Sequence, residues 1–223
     1  MCGRFTLAVD GQALIDRYNL LDIPFPFVAR FNAAPRQHIP AILRTNDHNR
    51  VGLLQWGLIP SFSEDDKLAS KMINARSETI TIKRSFRQLL IRKRVIIPAD
   101  GFVEWRTDEG KRKTPLRFVM KYGRIFSLAG LYDTWVNEKG EKVSTCTIIT
   151  TTPNEIVKPV HDRMPVILHP DKEFDWLDRN ITDQSYLTSL LAPYDANEMK
   201  AYQISNMIGN VKNDHAECIA PLL

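Results

Sequence analysis

Short runs of β-branched and aromatic residues, each ended by turn-forming residues, constrain the fold of this 223-residue chain more than any other feature of its sequence. They predict strands at 5–9, 39–44, 51–56, 95–105 (broken by a turn at 100–101), 116–120, 125–131, 143–151 and 199–204. So many strands with turns between them favour an α+β fold with a large, mainly antiparallel sheet or barrel-like core flanked by helices. The length suits one domain over residues 1–223.

Helical periodicity occurs in a few short segments between these strands. Asp10 is placed to cap a helix over residues 13–18, and a second helix follows residue 80. We expect four side chains of this second helix to face inward, namely Ile82, Phe86, Leu89 and Leu90. A short helix is predicted at 153–157, and two more between residues 171 and 194.

Composition excludes several classes of protein. Hydrophobic residues make up 43% of the chain and charged residues 25%, which is typical of a globular protein and argues against disorder. No apolar run reaches the roughly 18 residues of a membrane span, and no signal sequence is evident, so we expect a cytoplasmic protein without a membrane partner. The cysteines Cys2, Cys146 and Cys218 form no CxxC pair. We therefore expect neither a disulfide framework nor a metal site, and no cofactor.

The start of the chain carries the most distinctive chemistry. Removal of Met1 would leave Cys2 with a free α-amine and a thiol on one residue, a 1,2-aminothiol. Their reference pKa values are roughly 7.7 to 8.0 and roughly 8.5, so part of the amine is nucleophilic near neutral pH. An aldehyde would form an imine with the amine, and the thiol would then close a thiazolidine ring. A cysteine also occurs at position 2 by chance, but Gly3 permits close backbone approach and Arg4 suits phosphate.

Two side chains further along suggest acid–base chemistry. Glu104 lies between Val103 and Trp105, and apolar neighbours favour burial and a raised pKa, although strand alternation would equally point it at solvent. His161 is followed by Asp162, an acid that can orient its ring. A histidine of this kind is also often structural.

Other features indicate a nucleic-acid partner. The segment from Asn32 to Pro35 reads as an ordered functional loop, and Phe62 is an aromatic candidate for base stacking, whereas Trp56 is predicted to lie in the core. Lys212 and its amide neighbours fit a phosphate groove or a plain polar loop. A basic cluster, which a polyanion would contact or which forms a solvated helix face, comprises Arg76, Lys83, Arg84, Arg87, Arg92, Lys93 and Arg94.

Seven motifs occur in order over nearly the whole chain: CGRF at 2–5, NAAP at 32–35, WGLIP at 56–60, INARSET at 73–79, PADGFVEW at 98–105, HDRMP at 161–165 and NVKN at 210–213. Together they resemble the SOS-response-associated peptidase (SRAP) family. The resemblance implies a sensor of abasic sites in single-stranded DNA that forms a covalent thiazolidine cross-link through its mature N-terminal cysteine. The cross-link shields the lesion during the DNA damage response, and the protein associates with the nucleoid when it is on DNA.

Carried over residue by residue, the resemblance assigns a catalytic role to Cys2, Asn74, Glu104 and His161. Asn74 positions the sugar, Glu104 is the acid and base that also reverses the link, and His161 assists imine chemistry. DNA contacts are expected at Gly3, Arg4, Asn32, Pro35, Phe62, Arg76, Thr150 and Lys212. Many family members have tryptophan where this chain has Phe62, which offers less stacking area. We expect a monomer.

Two other functions fit some of the same residues. In a cysteine peptidase or N-terminal-nucleophile hydrolase, Cys2 would be the nucleophile and His161 the base. The family name implies peptidase activity, which self-removal of Met1 would satisfy. Alternatively, a non-covalent binder of single strands would use only the basic helix and the aromatic side chains.

Overall fold

The computed structural model of the protein describes residues 2–45, 48–111 and 113–222. The strands in this part of the chain are β1 (Phe5–Leu7), β2 (Arg30–Ala33), β3 (His38–Arg44), β4 (Asn49–Trp56), β5 (Asn74–Arg76), β6 (Arg94–Ala99), β7 (Gly101–Thr107), β8 (Lys113–Met120), β9 (Phe126–Val136), β10 (Lys142–Thr151), β11 (Met164–Pro165), β12 (Ile167–Leu168) and β13 (Met199–Gln203). The α-helices are α1 (Gly11–Tyr18), α2 (Arg84–Arg92), α3 (Glu173–Leu177) and α4 (Gln184–Ser189).

Five strands close into a barrel in the order β10, β4, β3, β6, β9 and back to β10. The β4–β10 pair is parallel and the other four pairs are antiparallel. Beyond its pairing with β4, β10 pairs in parallel with β5, so that Ile148 lies opposite Asn74. The predicted α+β fold with a barrel-like core is confirmed.

A second sheet holds the start of the chain against this barrel. Its order is β13, β8, β7, β1, β2, and all of its pairs are antiparallel. Phe5 of β1 lies opposite Ala33 on one side and Phe102 on the other. Its ring meets the fully buried Trp56 edge-on, with centroids 5.4 Å apart, so the core position predicted for Trp56 is confirmed. The N-terminal strand is therefore fixed by pairing on both edges and by an aromatic contact.

Local sequence explains where the helices begin. Asp10 accepts a hydrogen bond from the Ala13 amide at 2.8 Å, and α1 begins at Gly11, so the predicted cap is confirmed. The helix ends at Asn19, whose φ of 50° is the left-handed conformation common after a C-terminus. None of the helices in the described ranges is long and apolar enough to cross a membrane.

Three local predictions are wrong. Ile82 is 74% exposed and precedes α2, whose first residue is Arg84. The helix predicted at 153–157 is absent: residues 155–160 form a turn, and the buried Asn154 side chain accepts a hydrogen bond from the Val157 amide and donates to the Tyr194 carbonyl. Arg94 does not belong to the exposed basic cluster: it is buried and donates to backbone carbonyls.

The β3–β4 hairpin matches its prediction, with register running from His38 opposite Gln55 to Arg44 opposite Asn49. At its turn the Thr45 amide donates to the His48 carbonyl at 2.9 Å. Residues 46 and 47, which lie between the strands predicted at 39–44 and 51–56, are outside the described residues.

Candidate active site

Cys2 lies just before β1 and its side chain is fully buried. The thiol donates to the Arg4 carbonyl at an Sγ···O distance of 3.9 Å, and the same carbonyl accepts from the Val103 amide at 3.0 Å. This backbone bond continues the β1–β7 pairing and brings the chain end alongside Glu104. Burial raises the pKa of the Cys2 thiol, so the thiol is neutral near pH 7, and ionisation of the neighbouring Glu104 would raise that pKa further.

Glu104 is only 3% exposed, which confirms the predicted burial and excludes the solvent-facing alternative. Burial raises its pKa to about 8, and the negative charge of Asp162 contributes in the same direction. Its Oε1 atom has no hydrogen-bond partner within the described part of the chain. A carboxyl group that is protonated at neutral pH and has an oxygen available is suited to general acid catalysis.

His161 lies in the loop between β10 and β11, with Nε2 3.9 Å from Oε2 of Glu104. Its Nδ1 accepts a hydrogen bond from the Arg163 amide at 3.0 Å. Burial lowers the pKa of the imidazole. The neutral ring therefore carries its proton on Nε2, facing Glu104. The Asp162 carboxylate is also 3.0 Å from Nδ1, but the Asp162 side chain is 84% exposed. Nδ1 would donate a hydrogen bond to this carboxylate only when the ring is in the imidazolium form.

Asn74 opens β5 at the edge of the barrel. Its amide nitrogen donates to the Ile148 carbonyl at 3.4 Å, which leaves Oδ1 buried without a partner among the described residues. The preceding residue, Ile73, packs against the core cluster that contains Cys2. Asn74 therefore presents an unused acceptor near the same cluster, as a residue that positions a hydroxyl group would.

Arg4 and Gly3 border the cluster on the side of the C-terminal loop. Arg4 Nη1 donates to the Gly3 carbonyl at 2.9 Å and Nη2 to the Gly209 carbonyl at 3.4 Å. The Arg4 guanidinium thus contacts only neutral carbonyls among the described residues, which leaves its charge available for an anion.

Asn32 is fully buried in β2, where it connects this loop to the sheet. Its amide nitrogen lies within hydrogen-bond distance of the Ile208, Asn210 and Asn213 carbonyls, at 3.1, 3.0 and 2.8 Å. The contact with DNA predicted for Asn32 stays a prediction, and the observed contacts are structural. Nearby, Pro35 is half-buried and Lys212 is exposed.

Sequence reasoning assigned no role to Arg163, which holds three parts of the site together. Arg163 makes a bidentate salt bridge with Glu78, with Nη1···Oε1 at 2.6 Å and Nη2···Oε2 at 2.9 Å. Its Nη2 also donates to the Thr150 carbonyl at 2.7 Å. Its backbone amide also fixes the His161 ring, as described above. The position of this arginine directly after His161 and Asp162 was the sequence signal that could have identified it as a site residue. Arg76, on β5, is exposed.

Phe62 lies on the segment that follows β4 and is 50% exposed. The Arg84 guanidinium lies over its ring, with Cζ 4.5 Å from the centroid. Phe62 thus keeps part of its ring exposed, and its contact with DNA stays a prediction.

Known proteins resemble this chain over its whole length. A family model described as SOS response associated peptidase (SRAP) matches residues 1–211. Abasic site processing protein YoaM of Bacillus subtilis is 49% identical over 222 residues, covering 98% of this chain and 97% of that protein. Abasic site processing protein YedK of Escherichia coli is 30% identical over 230 residues, covering both chains completely. A solved structure of a protein from Bacteroides thetaiotaomicron matches with a TM-score of 0.84 and 29% identity, covering all of both chains.

Proposed function

The chain belongs to the SOS response associated peptidase family, and from that premise we propose that it processes abasic sites in single-stranded DNA by forming a covalent thiazolidine link through Cys2 after Met1 is removed. The observation that carries the proposal is the buried Glu104 carboxyl beside the Cys2 thiol, with the half-buried His161 ring 3.9 Å from that carboxyl. The names of the relatives, abasic site processing proteins, support the substrate class.

The first step is opening of the sugar. An abasic sugar is mostly a closed hemiacetal, and neutral His161, with its proton on Nε2, is suited to relay a proton as the ring opens to the aldehyde. The unpartnered Oδ1 of Asn74 is available to accept a hydrogen bond from a sugar hydroxyl. Arg4 and Arg76, together with Thr150, are then expected to hold the neighbouring phosphates.

The second step joins nitrogen to carbon. The Cys2 α-amine attacks the aldehyde carbon, and the resulting carbinolamine loses water to give the protonated imine, whose nitrogen keeps its hydrogen. Protonated Glu104 supplies the proton that leaves with this water and becomes a carboxylate. Its pKa of about 8 keeps the acid form populated at neutral pH.

The third step closes the ring and restores the catalyst. The Cys2 sulfur adds to the carbon of the protonated imine, the Glu104 carboxylate takes and keeps the thiol proton, and the nitrogen keeps its own hydrogen as the ring amine. One water is released overall, and Glu104 ends in the state in which it started. Because the imine is consumed, strand cleavage by β-elimination is suppressed, and the lesion stays shielded. The same Glu104 can reprotonate the ring nitrogen, so slow reversal is expected.

The peptidase alternative is less well supported. A cysteine peptidase needs a thiolate, usually generated by a histidine beside the sulfur. Here burial raises the pKa of the Cys2 thiol, its hydrogen-bond acceptor is the Arg4 carbonyl, and His161 faces Glu104. Removal of Met1 by the protein itself is the peptidase activity that remains compatible with the proposal.

The test is a denaturing gel of the protein mixed with a single-stranded oligonucleotide that carries one abasic site, without borohydride. A slower band is expected for the wild type and for the control Cys218→Ala, which removes a buried cysteine of another core cluster. No such band is expected for Cys2→Ala or for a chain with one uncleavable residue before Cys2. Mass spectrometry must show Met1 absent. If it does and the wild type gives no band, the proposal is wrong.

A further inference from the structure

A cavity of about 310 Å³ lies where α1, the turn from β8 to β9 and the segment between α4 and β13 meet. We call it the Tyr194 cavity, after a tyrosine on its wall. None of its lining residues belongs to the candidate active site or to the predicted DNA contacts. The Tyr194 cavity is therefore separate from the site described above.

Most of the cavity wall is apolar, and its apolar members are Met120, Ile125, Phe126, Leu168 and Pro170. Binding sites for small molecules have this character: a few hundred Å³ of space, a mainly apolar lining and a small number of polar groups. An apolar cavity of about 150 Å³ holds benzene, so about 310 Å³ accommodates roughly twelve non-hydrogen atoms.

Tyr194 supplies a polar group that has no partner in the protein. The residue is 7% exposed, and its hydroxyl makes no hydrogen bond to any other residue that the structure describes. The ring is held in place, because it stacks on His169 with centroids 4.7 Å apart and the Tyr194 carbonyl accepts from Asn154 Nδ2 at 2.8 Å. Burial raises the pKa of the hydroxyl, which keeps its proton and can donate it. Buried polar groups normally have partners, so this hydroxyl indicates that a ligand supplies the acceptor.

Arg124 brings a positive charge to the same part of the cavity. Its Nη2 donates to Glu198 at 2.6 Å, while Nε and Nη1 have no hydrogen-bond partner among the described residues. The guanidinium also acts on the Tyr194 hydroxyl, whose pKa it lowers against the effect of burial. The Arg124–Glu198 pair is about half exposed and contributes little by itself, so a ligand anion can share this guanidinium.

Arg17, the other cation on the cavity wall, is already committed to the protein. It makes a bidentate salt bridge with Glu173, and its Nε donates to the Ile125 carbonyl at 3.3 Å. The ligand therefore meets one guanidinium with free donors and one neutral hydroxyl. This pair of donors suits a single carboxylate.

We propose that the Tyr194 cavity binds a small monocarboxylic acid whose apolar body packs against Met120, Phe126 and Leu168. The ligand carboxylate accepts hydrogen bonds from the Tyr194 hydroxyl and from the Arg124 guanidinium. The binding is non-covalent. The inference goes beyond the proposed function and does not rest on it.

The test is isothermal titration calorimetry with sodium hexanoate, octanoate, decanoate and dodecanoate, each below the concentration at which it aggregates. Affinity should rise about three- to fourfold for each added CH₂ group while the chain is being buried. The rise should stop near decanoate, which has the size that the cavity accommodates. The uncharged 1-octanol should bind at least tenfold more weakly than octanoate, because it lacks the carboxylate.

Two variants test the polar contacts, and each has a matched control. Tyr194→Phe should weaken octanoate binding about tenfold and leave urea unfolding unchanged, since the hydroxyl has no protein partner to lose. Its control is Tyr122→Phe, at a residue that is 90% exposed. Arg124→Gln should weaken octanoate about tenfold and 1-octanol less than twofold. Its control is Lys121→Gln, an exposed cation on the same turn but outside the cavity wall. Both controls should change affinity less than twofold.

A third variant, Ile125→Trp, fills the cavity and should remove binding of all four acids, with urea unfolding showing that the variant is folded. Undiminished binding by the folded variant, or affinity that keeps rising to dodecanoate, would overturn the assignment to this cavity. If Ile125→Trp does not fold, Tyr194→Phe decides, because unchanged octanoate affinity overturns the same assignment.

The identity of the ligand head group has its own refuting results. Equal affinities for octanoate and 1-octanol, or equal losses for Arg124→Gln and Lys121→Gln, would overturn the carboxylate. Absence of binding for every acid in the series would overturn the whole inference. Cross-linking of abasic DNA, measured as described above, decides the proposed function separately, so the two can fail independently.

Discussion

Replacement of Glu104 by glutamine should make the protein more stable at alkaline pH, and the structure gives the size of the effect. The pKa of this carboxyl is about 8 in the folded protein, against 4.5 for an unperturbed glutamate. The folded state therefore binds the proton more tightly than the unfolded state. Below pH 4.5 the group is protonated in both states, and it then costs nothing extra to fold.

As the pH rises from 4.5 to about 8, the unfolded chain loses the proton while the folded chain keeps it, so stability falls. Above pH 8 both states are ionised and the loss is complete. At about 1.36 kcal/mol for each pH unit, the difference between the two pKa values corresponds to a total of about 5 kcal/mol, of which about 4 kcal/mol falls between pH 5 and pH 9. Glutamine has the shape of the neutral acid and does not titrate.

The assay is urea unfolding of the wild type and Glu104→Gln at pH 5 and pH 9. The stability of the variant relative to the wild type should rise by about 4 kcal/mol between the two pH values. Glu109→Gln, which removes an exposed carboxylate from the turn between β7 and β8, serves as the control and should show a change below about 0.5 kcal/mol. A constant difference for Glu104→Gln, within about 1 kcal/mol, would refute the reasoning that burial keeps this carboxyl protonated.

Three further predictions follow from single contacts. Gly57→Ala should cost about 2 to 4 kcal/mol in urea unfolding, because φ is +125° and a Cβ would lie 2.4 Å from the Ala69 carbonyl oxygen; a loss under about 0.5 kcal/mol would contradict the clash. Asn32→Ala should speed amide hydrogen exchange in residues 206–214, since it removes the donor to three loop carbonyls; unchanged exchange would show that the loop is held otherwise. His161→Gln should slow cross-linking about a hundredfold at unchanged stability, and a wild-type rate would remove it from ring opening.

Burial of Glu104 was one of two possibilities that the local sequence offered. Two bulky apolar neighbours in a strand predicted the buried environment, and the structure confirms it. The 3.9 Å approach of His161 could not be predicted from spacing alone, since 57 positions separate the two residues: Glu104 lies on β7 of the second sheet and His161 in the loop after β10 of the barrel. The prediction that Ile82 faces inward was wrong because helical periodicity was extended too far toward the N-terminus: the helix begins two residues later.

Polar residues were harder to assign than apolar ones. Asn32 reads as a surface amide in a loop, yet its donors are used on backbone carbonyls in the interior. Arg163 was quoted in a motif but given no role, because its partners Glu78 and Thr150 come from separate strands or turns. A polar side chain can bind either DNA or the protein backbone, and the sequence alone does not show which of the two it binds.

The proposed mechanism places its nucleophile at a chain end, and this fold resolves the difficulty that such a position brings. Termini usually fray, which would spread the amine and thiol over many positions and forfeit the advantage of an intramolecular ring closure. Here only Gly3 and Arg4 separate Cys2 from Phe5, which is paired on both sides and packed against Trp56. The anchored strand thereby holds a terminal residue with the precision of an internal one. The same placement buries Glu104 against the chain end, so the contacts that position the nucleophile also raise the pKa of its acid.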